Sequence, residues 1–212
     1  MHVTFARPQG YEFAAGQWFR LTLPTADGPQ TRTFSHASAP QDAGLDMATR
    51  LSGSPFKRAL AELRPGAPVT LAGPGGRLRL PEDATRIVAL TGGIGVTPVR
   101  SLLRDAVARD VVFDDALVLF GNRDEHCAPY LDELASLEHH GIRVVPVYEN
   151  PPSDWPGERG FITPSIVRRY VAPIKGRPFI VTGPPAMVAA MDAVLDDLEI
   201  DPAWRTVERF GV

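Results

Sequence analysis

The 212-residue sequence predicts a small antiparallel β-barrel followed by an open five-stranded parallel α/β sheet. Two observations carry this. Short alternating apolar segments separated by turn residues fill residues 1–80. After the polar stretch Pro81 to Arg86 the rhythm changes to strand–helix alternation, with a glycine-rich turn at its first crossover. Two domains are expected, residues 1–82 and 83–212.

In the first half, segments 2–6, 17–23, 31–38, 45–52 and 68–72 are strand-like. Phe19, Leu21 and Leu23 alternate with Arg20 and Thr22, as suits a sheet with one buried face. Turn residues separate the segments: Pro8-Gln9-Gly10, Ala26 to Pro29, and Asp42-Ala43-Gly44. One helix interrupts them. Ser54 caps it, Pro55 suits its first turn, and Phe56, Leu60 and Leu63 form its apolar face before Pro65-Gly66 ends it.

In the second half, strands are expected at 87–91, 116–120, 142–148, 178–182 and 205–210. Helices are expected at 98–108, 129–140, 164–171 and 185–198. Ligands of such a sheet sit beyond the strand carboxyl ends, at the topological switch point.

Composition narrows the function. The formal net charge of −3, with both signs interspersed, gives no reason to expect nucleic acid or a membrane surface as partner. No apolar run approaches a membrane span, and the N-terminus does not read as a signal peptide. The single cysteine, Cys127, excludes an intrachain disulfide and an all-cysteine iron–sulfur cluster. No metal site is expected, and the compartment is expected to be cytoplasmic.

The buried strand Ile87 to Leu90 runs into Thr91-Gly92-Gly93-Ile94-Gly95-Val96-Thr97-Pro98 and then a helix. Glycines allow close approach of a ligand to the backbone. Thr97 is expected to cap the helix and Pro98 to fit its first turn, so that free amides and the helix dipole face a pyrophosphate. The alternative is a tight strand–helix turn with no ligand. The next crossover ends in Asn122-Arg123, where Arg123 either meets an adenosine 2′-phosphate or is a solvated loop charge. A further crossover, Gly183-Pro184, offers a side-chain-poor backbone to a nicotinamide, while Met187 beyond it reads as core.

The segment Thr31-Arg32-Thr33-Phe34-Ser35-His36 combines a cation, an aromatic plane and hydroxyls. A guanidinium suits a flavin phosphate, an aromatic ring stacks on an isoalloxazine, and a hydroxyl bonds a ring nitrogen. An ordinary barrel strand is the alternative.

With these motifs in place, the chain resembles the ferredoxin–NADP reductase superfamily of flavin oxidoreductases. Arg32 to Ser35 resembles its Arg-x-aromatic-Ser flavin motif, with Phe34 where Tyr is commoner. Gly92 to Pro98 resembles its pyridine-nucleotide loop, and Gly183 to Met187 its Gly-Pro-x-x-Met segment. Val207 to Phe210 resembles its acidic–aromatic ending, and Gly16-Gln17 and Gly73 to Gly76 its barrel landmarks. The matches occur in family order along nearly the whole chain.

The resemblance implies a six-stranded flavin barrel, here with a short first strand, and then a pyridine-nucleotide domain. Arg32 would bind flavin phosphate, Phe34 would pack on the isoalloxazine, and Ser35 would hydrogen-bond near N5, with Thr33 beside them. Gly53-Ser54 would face the flavin pyrophosphate. Arg50 would add charge there or lie on the surface. His36 would touch flavin or be a strand histidine. Glu208 would assist proton supply or position the nicotinamide, unless it is an edge-strand charge, and Phe210 would stand near the flavin ring.

The expected function is a flavin-dependent oxidoreductase. Hydride passes from NAD(P)H to FAD, with FMN less favoured. Electrons then leave to a separate acceptor: a ferredoxin, a flavodoxin, an oxygenase component or a small molecule. The rival readings are a non-catalytic flavin and nucleotide sensor and a flavin-free dehydrogenase. The latter leaves the first half unexplained.

Overall fold

The computed structural model describes residues 1–210. Five antiparallel strands make up the first half: β1 (His2–Ala6), β2 (Trp18–Leu23), β3 (Gln30–Ser35), β4 (Gly44–Ala48) and β5 (Thr70–Gly75). They form two sheets, β1-β4 and β3-β2-β5. Both sheets enclose one barrel-like core of Phe5, Phe19, Leu21, Leu23, Phe34, Leu45 and Met47. The family resemblance implied six barrel strands; the described residues supply five. The strand expected at 31–38 stops at Ser35; the His36 amide still donates to the Gln17 carbonyl at 2.9 Å, but the Ala37 amide turns to the Asp46 carbonyl at 2.8 Å.

Helix α1 (Pro55–Glu62) plugs this core with Phe56 and Leu60. The Ser54 side chain accepts from the Lys57 amide at 3.3 Å, and Pro55 occupies the first turn, as the sequence predicts.

The second half is a six-stranded, all-parallel sheet. Its strands are β6 (Arg86–Gly92), β7 (Asp115–Asn122), β8 (Ile142–Tyr148), β9 (Glu158–Arg159), β10 (Phe179–Gly183) and β11 (Arg205–Arg209). Their order is β11-β10-β6-β7-β8-β9, so the switch point lies between β6 and β10. The sixth strand, β9, was not anticipated, because two residues are too short to show a period.

Helices α2 (Val96–Ala108) and α3 (Leu131–Ala135) cover one face, and α4 (Pro164–Tyr170) and α5 (Pro185–Asp197) the other. The helix expected at 129–140 is broken. Tyr130 is left-handed, α3 lasts one turn, and Ser136–His140 tighten into a 3-10 turn. The Ser136 hydroxyl donates to the Glu133 carbonyl at 2.6 Å, which competes with the helical ladder there.

The two halves meet along α2. Buried Arg100 donates to the Ala37 carbonyl at 2.7 Å and pairs with Asp46 and Glu133 at 3.3 and 2.9 Å. Ser101 donates to the Ser38 carbonyl at 2.7 Å, and Arg104 pairs with Asp42 at 2.7 Å.

Candidate functional site

The strand register decides which residues of β3 can act together. Phe34 lies opposite Phe19, and Ser35 opposite Trp18. Phe34 therefore joins the core face, where its ring stands 5.8 Å from Phe56 in a near-parallel stack. Exposed Arg32 is on the same face, its guanidinium 5.6 Å from the Phe56 ring centroid. It donates to the Thr31 carbonyl and Gln30 Oε1 at 2.8 and 3.1 Å. Thr33 is exposed on the opposite face.

The Lys57 ammonium lies 4.7 Å over the Phe34 ring and donates to the Thr49 hydroxyl. Burial, and then the Arg32 charge, pull its pKa down to about 8. Arg32 and Lys57 thus converge with no carboxylate paired to either among the described residues. Two adjacent unpaired cations disfavour each other, so this corner is arranged for an anion. Half-exposed Ser54, at the start of α1, and exposed Gly53 are next to it in sequence. The donor set fits a flavin phosphate. Sequence reading missed Lys57, although a lysine in the first turn of a helix opposes the dipole and so signals another use.

His36 does not fit a cofactor contact. Its side chain is fully buried, stacked 3.8 Å from Phe13, with Nε2 3.1 Å from the Tyr11 hydroxyl. Burial, and then Arg7, lower its pKa to about 3, so it is a neutral core histidine.

The glycine turn departs from expectation in its start. Gly93–Gly95 already wind as a 3-10 turn, and α2 begins at Val96. Thr97 therefore does not cap. It sits inside the first turn, with Pro98 after it, and donates to the Ile94 carbonyl at 3.0 Å. Gly92, Gly93, Gly95, Thr97 and Pro98 are all buried.

Packing accounts for part of the glycine pattern. A Cβ on Gly95 would lie 2.4 Å from the Thr182 carbonyl oxygen, so the turn presses directly on β10. Gly93 has φ +52°, and a Cβ there would stand 3.2 Å from Arg50 Nη2. Arg50, expected near Gly53-Ser54, thus reaches the glycine turn.

At the switch point, the Thr182 hydroxyl donates to the Gly95 carbonyl at 2.8 Å and lies 3.0 Å from the Thr91 hydroxyl, which donates to the Thr182 carbonyl at 3.2 Å. These buried threonines were also missed in the sequence, where they read as ordinary strand residues. Thr91, Thr182 and Glu208 stand side by side across β6, β10 and β11. Ser35 then donates to Glu208 Oε1 at 3.0 Å. One row therefore links the RTFS strand to the glycine turn. Burial raises the Glu208 pKa, and the Ser35 bond opposes that rise.

Gly183 and Pro184 end β10 beside this row, and the Phe210 amide donates to the Gly183 carbonyl at 3.0 Å. Asn122 ends β7 and Arg123 follows it, one strand farther from the switch point than the glycine turn. Asn122 is buried, while Arg123 is exposed and pairs with Asp124 at 3.0 Å. Among the described residues no cluster of His, Cys, Asp or Glu could hold a metal ion, and no helix is long and apolar enough to cross a membrane.

Comparison with known proteins places these features in a family. Residues 89–193 match the family model described as an oxidoreductase NAD-binding domain. The chain is 35% identical over 176 residues to ferredoxin–NADP reductase B of Sorangium cellulosum, covering 79% of this chain and 71% of the relative. It is 31% identical over 189 residues to NADH-cytochrome b5 reductase 1 of Ajellomyces capsulatus, covering 79% of this chain but 57% of the relative. The fold matches a ferredoxin NADP+ reductase from Neisseria gonorrhoeae, solved with bound FAD and NADP. The TM-score is 0.85 at 24% identity, over 98% of this chain and 91% of that one. The chain belongs to the ferredoxin–NADP reductase superfamily.

Proposed function

From that membership, we propose that the chain is an NAD(P)H-dependent flavoprotein reductase that binds FAD and passes electrons to a separate acceptor protein or small molecule. The observation that carries the proposal is the Ser35–Glu208 hydrogen bond, which joins the RTFS strand to the row ending at the glycine turn. A flavin and a dinucleotide bound at the two ends of that row would meet at its middle.

The flavin, when bound, supplies hydride acceptance and the release of electrons singly or in pairs. The protein supplies the rest. Arg32 and Lys57 hold the phosphate of the flavin, helped by the amides near Gly53 and Ser54. Phe34 gives the corner its apolar floor. Ser35 and Glu208 orient the reacting ring edge, and Glu208 holds or yields a proton there. Gly92, Gly93 and Gly95 admit the dinucleotide, Arg50 meets its negative charge, and Gly183, Pro184 and Phe210 border the nicotinamide. Residues 1–82 form the flavin half and residues 83–212 the nucleotide half. The change of sheet between β5 and β6 supports that division.

The test is direct. Purified protein should be yellow, release FAD on denaturation, and bleach when NADH or NADPH is added anaerobically. A protein that stays colourless after incubation with FAD and FMN refutes the proposal. A flavoprotein that neither nucleotide bleaches is a sensor, not a reductase.

A further inference from the structure

Three glycines form a row without side chains across the carboxyl ends of β10, β6 and β7. Gly121 is the register partner of Gly92, and Gly183 follows Thr182, the partner of Thr91. None of the three has a positive φ, so backbone conformation does not call for glycine at any of them. Space does at two. A Cβ on Gly92 would overlap Met187 Sδ and stand 3.1 Å from its Cε, and a Cβ on Gly183 would stand 3.0 Å from Sδ. Gly121 borders the same methyl group, 3.9 Å from where its own Cβ would be.

One thioether in the first turn of α5 therefore fills a socket walled by strand backbone. Gly92 leads into the glycine turn and Gly183 into Pro184, so the socket joins both crossovers. A thioether suits the place because it is apolar and polarizable. It is also partly exposed and so reachable from solvent. Of the other three methionines, Met47 and Met191 are sealed at 0% and 3% exposure, and only Met1, in the barrel half, is open at 45%.

We infer that Met187 is an oxidation site that switches nucleotide binding off: hydrogen peroxide converts its thioether to the sulfoxide, which leaves the socket and unseats both crossovers. The inference rests on the proposed use of NAD(P)H. The sulfur gives an electron pair to one peroxide oxygen as the O–O bond breaks, and the other oxygen leaves as water with both peroxide protons. Sulfur is oxidised and peroxide reduced. The product is polar and one oxygen larger. Close-packed strand backbone does not yield to it, and a buried S–O dipole costs free energy unless it is hydrogen-bonded. Dioxygen that takes two electrons and two protons in place of the acceptor becomes this oxidant. The switch then stops hydride intake when electrons have nowhere else to go.

The experiment uses FAD-loaded protein carrying Cys127→Ser, which removes thiol oxidation, with and without Met187→Leu, a volume-conserving change. Each is treated with hydrogen peroxide. Calorimetry follows NAD⁺ and NADP⁺ affinity, mass spectrometry locates the added oxygen, and thermal melts follow stability. Met187 should be oxidised before Met47 and Met191. The better-binding nucleotide should then lose at least tenfold in affinity, and methionine sulfoxide reductases A and B should restore it, a cycle the Met187 protein reports by itself. With Met187→Leu the loss should stay below twofold. Met187 left intact once Met1 is oxidised, affinity unchanged by its oxidation, or an equal loss in both proteins overturns the inference. Protein that binds neither nucleotide before peroxide refutes the reductase proposal instead. Melting then decides the inference: peroxide should lower the melting temperature by several degrees only where Met187 is present, and equal shifts overturn it.

Discussion

Ser35 and Glu208, 173 positions apart, share a hydrogen bond of 3.0 Å in which the serine hydroxyl donates to the carboxylate. Burial raises the glutamate's pKa while this bond opposes the rise. The hydroxyl therefore tunes the acid as well as holding its position.

Ser35→Ala should leave flavin bound and slow its reduction by NADH roughly tenfold, the worth of one hydrogen bond to a charged group. Any acid limb of that rate should move to higher pH, because Glu208 loses the group that favours its ionised form. Arg32→Ala should do the reverse, weakening flavin retention with a smaller effect on reduction of the flavin that remains. Flavin titration and stopped-flow reduction separate the two, and identical behaviour of both variants contradicts the assigned roles.

Glu208 also makes stability depend on pH. Its folded pKa lies above the ordinary value of 4.5, so its favourable contribution is complete below that value and is lost as pH rises through the folded pKa. Glu208→Gln should match the wild type at acid pH and melt a few degrees higher at neutral pH. Thermal melts across this range decide it; a Gln variant that is less stable at neutral pH contradicts the sign.

His36 acts in the opposite direction. Its pKa falls from 6.5 to about 3 on folding, so its contribution is present above 6.5 and is lost as pH falls toward about 3. The unfolding free energy should drop by about 1.4 kcal/mol per pH unit from this one proton. In His36→Phe that slope should disappear from urea unfolding curves over the same window, whatever the variant's stability at neutral pH.

Two glycines of one turn should respond differently to alanine. At Gly95 the new methyl meets rigid backbone, 2.4 Å from the Thr182 carbonyl and 2.8 Å from Gly183 Cα. At Gly93 it meets the end of a long side chain, 3.2 Å from Arg50 Nη2, at φ +52°. Gly95→Ala should cost about 3 kcal/mol or more, as overpacking does. Gly93→Ala should cost about 1 kcal/mol, the usual left-handed penalty. Chemical denaturation measures both, and a reversed order contradicts the packing described.

The barrel strands and α1 were legible because they follow local rules, alternation in β2 and the Ser54-Pro55 start of the helix. The α/β rhythm was equally plain, but its details failed where local rules compete. The glycine turn winds early, so Thr97 bonds back to Ile94 and caps nothing. Left-handed Tyr130 delays, and the 3-10 turn from Ser136 ends, a helix that composition favours. The site was legible only in pieces. No periodicity tells that Ser35 meets Glu208, or that Thr91 and Thr182 stand beside it, because sheet order and register fix those contacts. Lys57 was hidden by its place in an ordinary amphipathic helix, while Arg50 was named from the sequence but is carried by the fold to Gly93.

Helix α2 begins at the glycine turn and fastens to the barrel half through Arg100, Ser101 and Arg104. Pulling the barrel away would take the Ala37 carbonyl and the Asp46 carboxylate from Arg100, which is 6% exposed, while Glu133 stays with it in the same half, a loss of about 2 kcal/mol for each hydrogen bond to its charge. Neither half can then melt alone without that penalty. The chain should unfold in a single cooperative transition, and a ligand gripping either half would lend its protection to both.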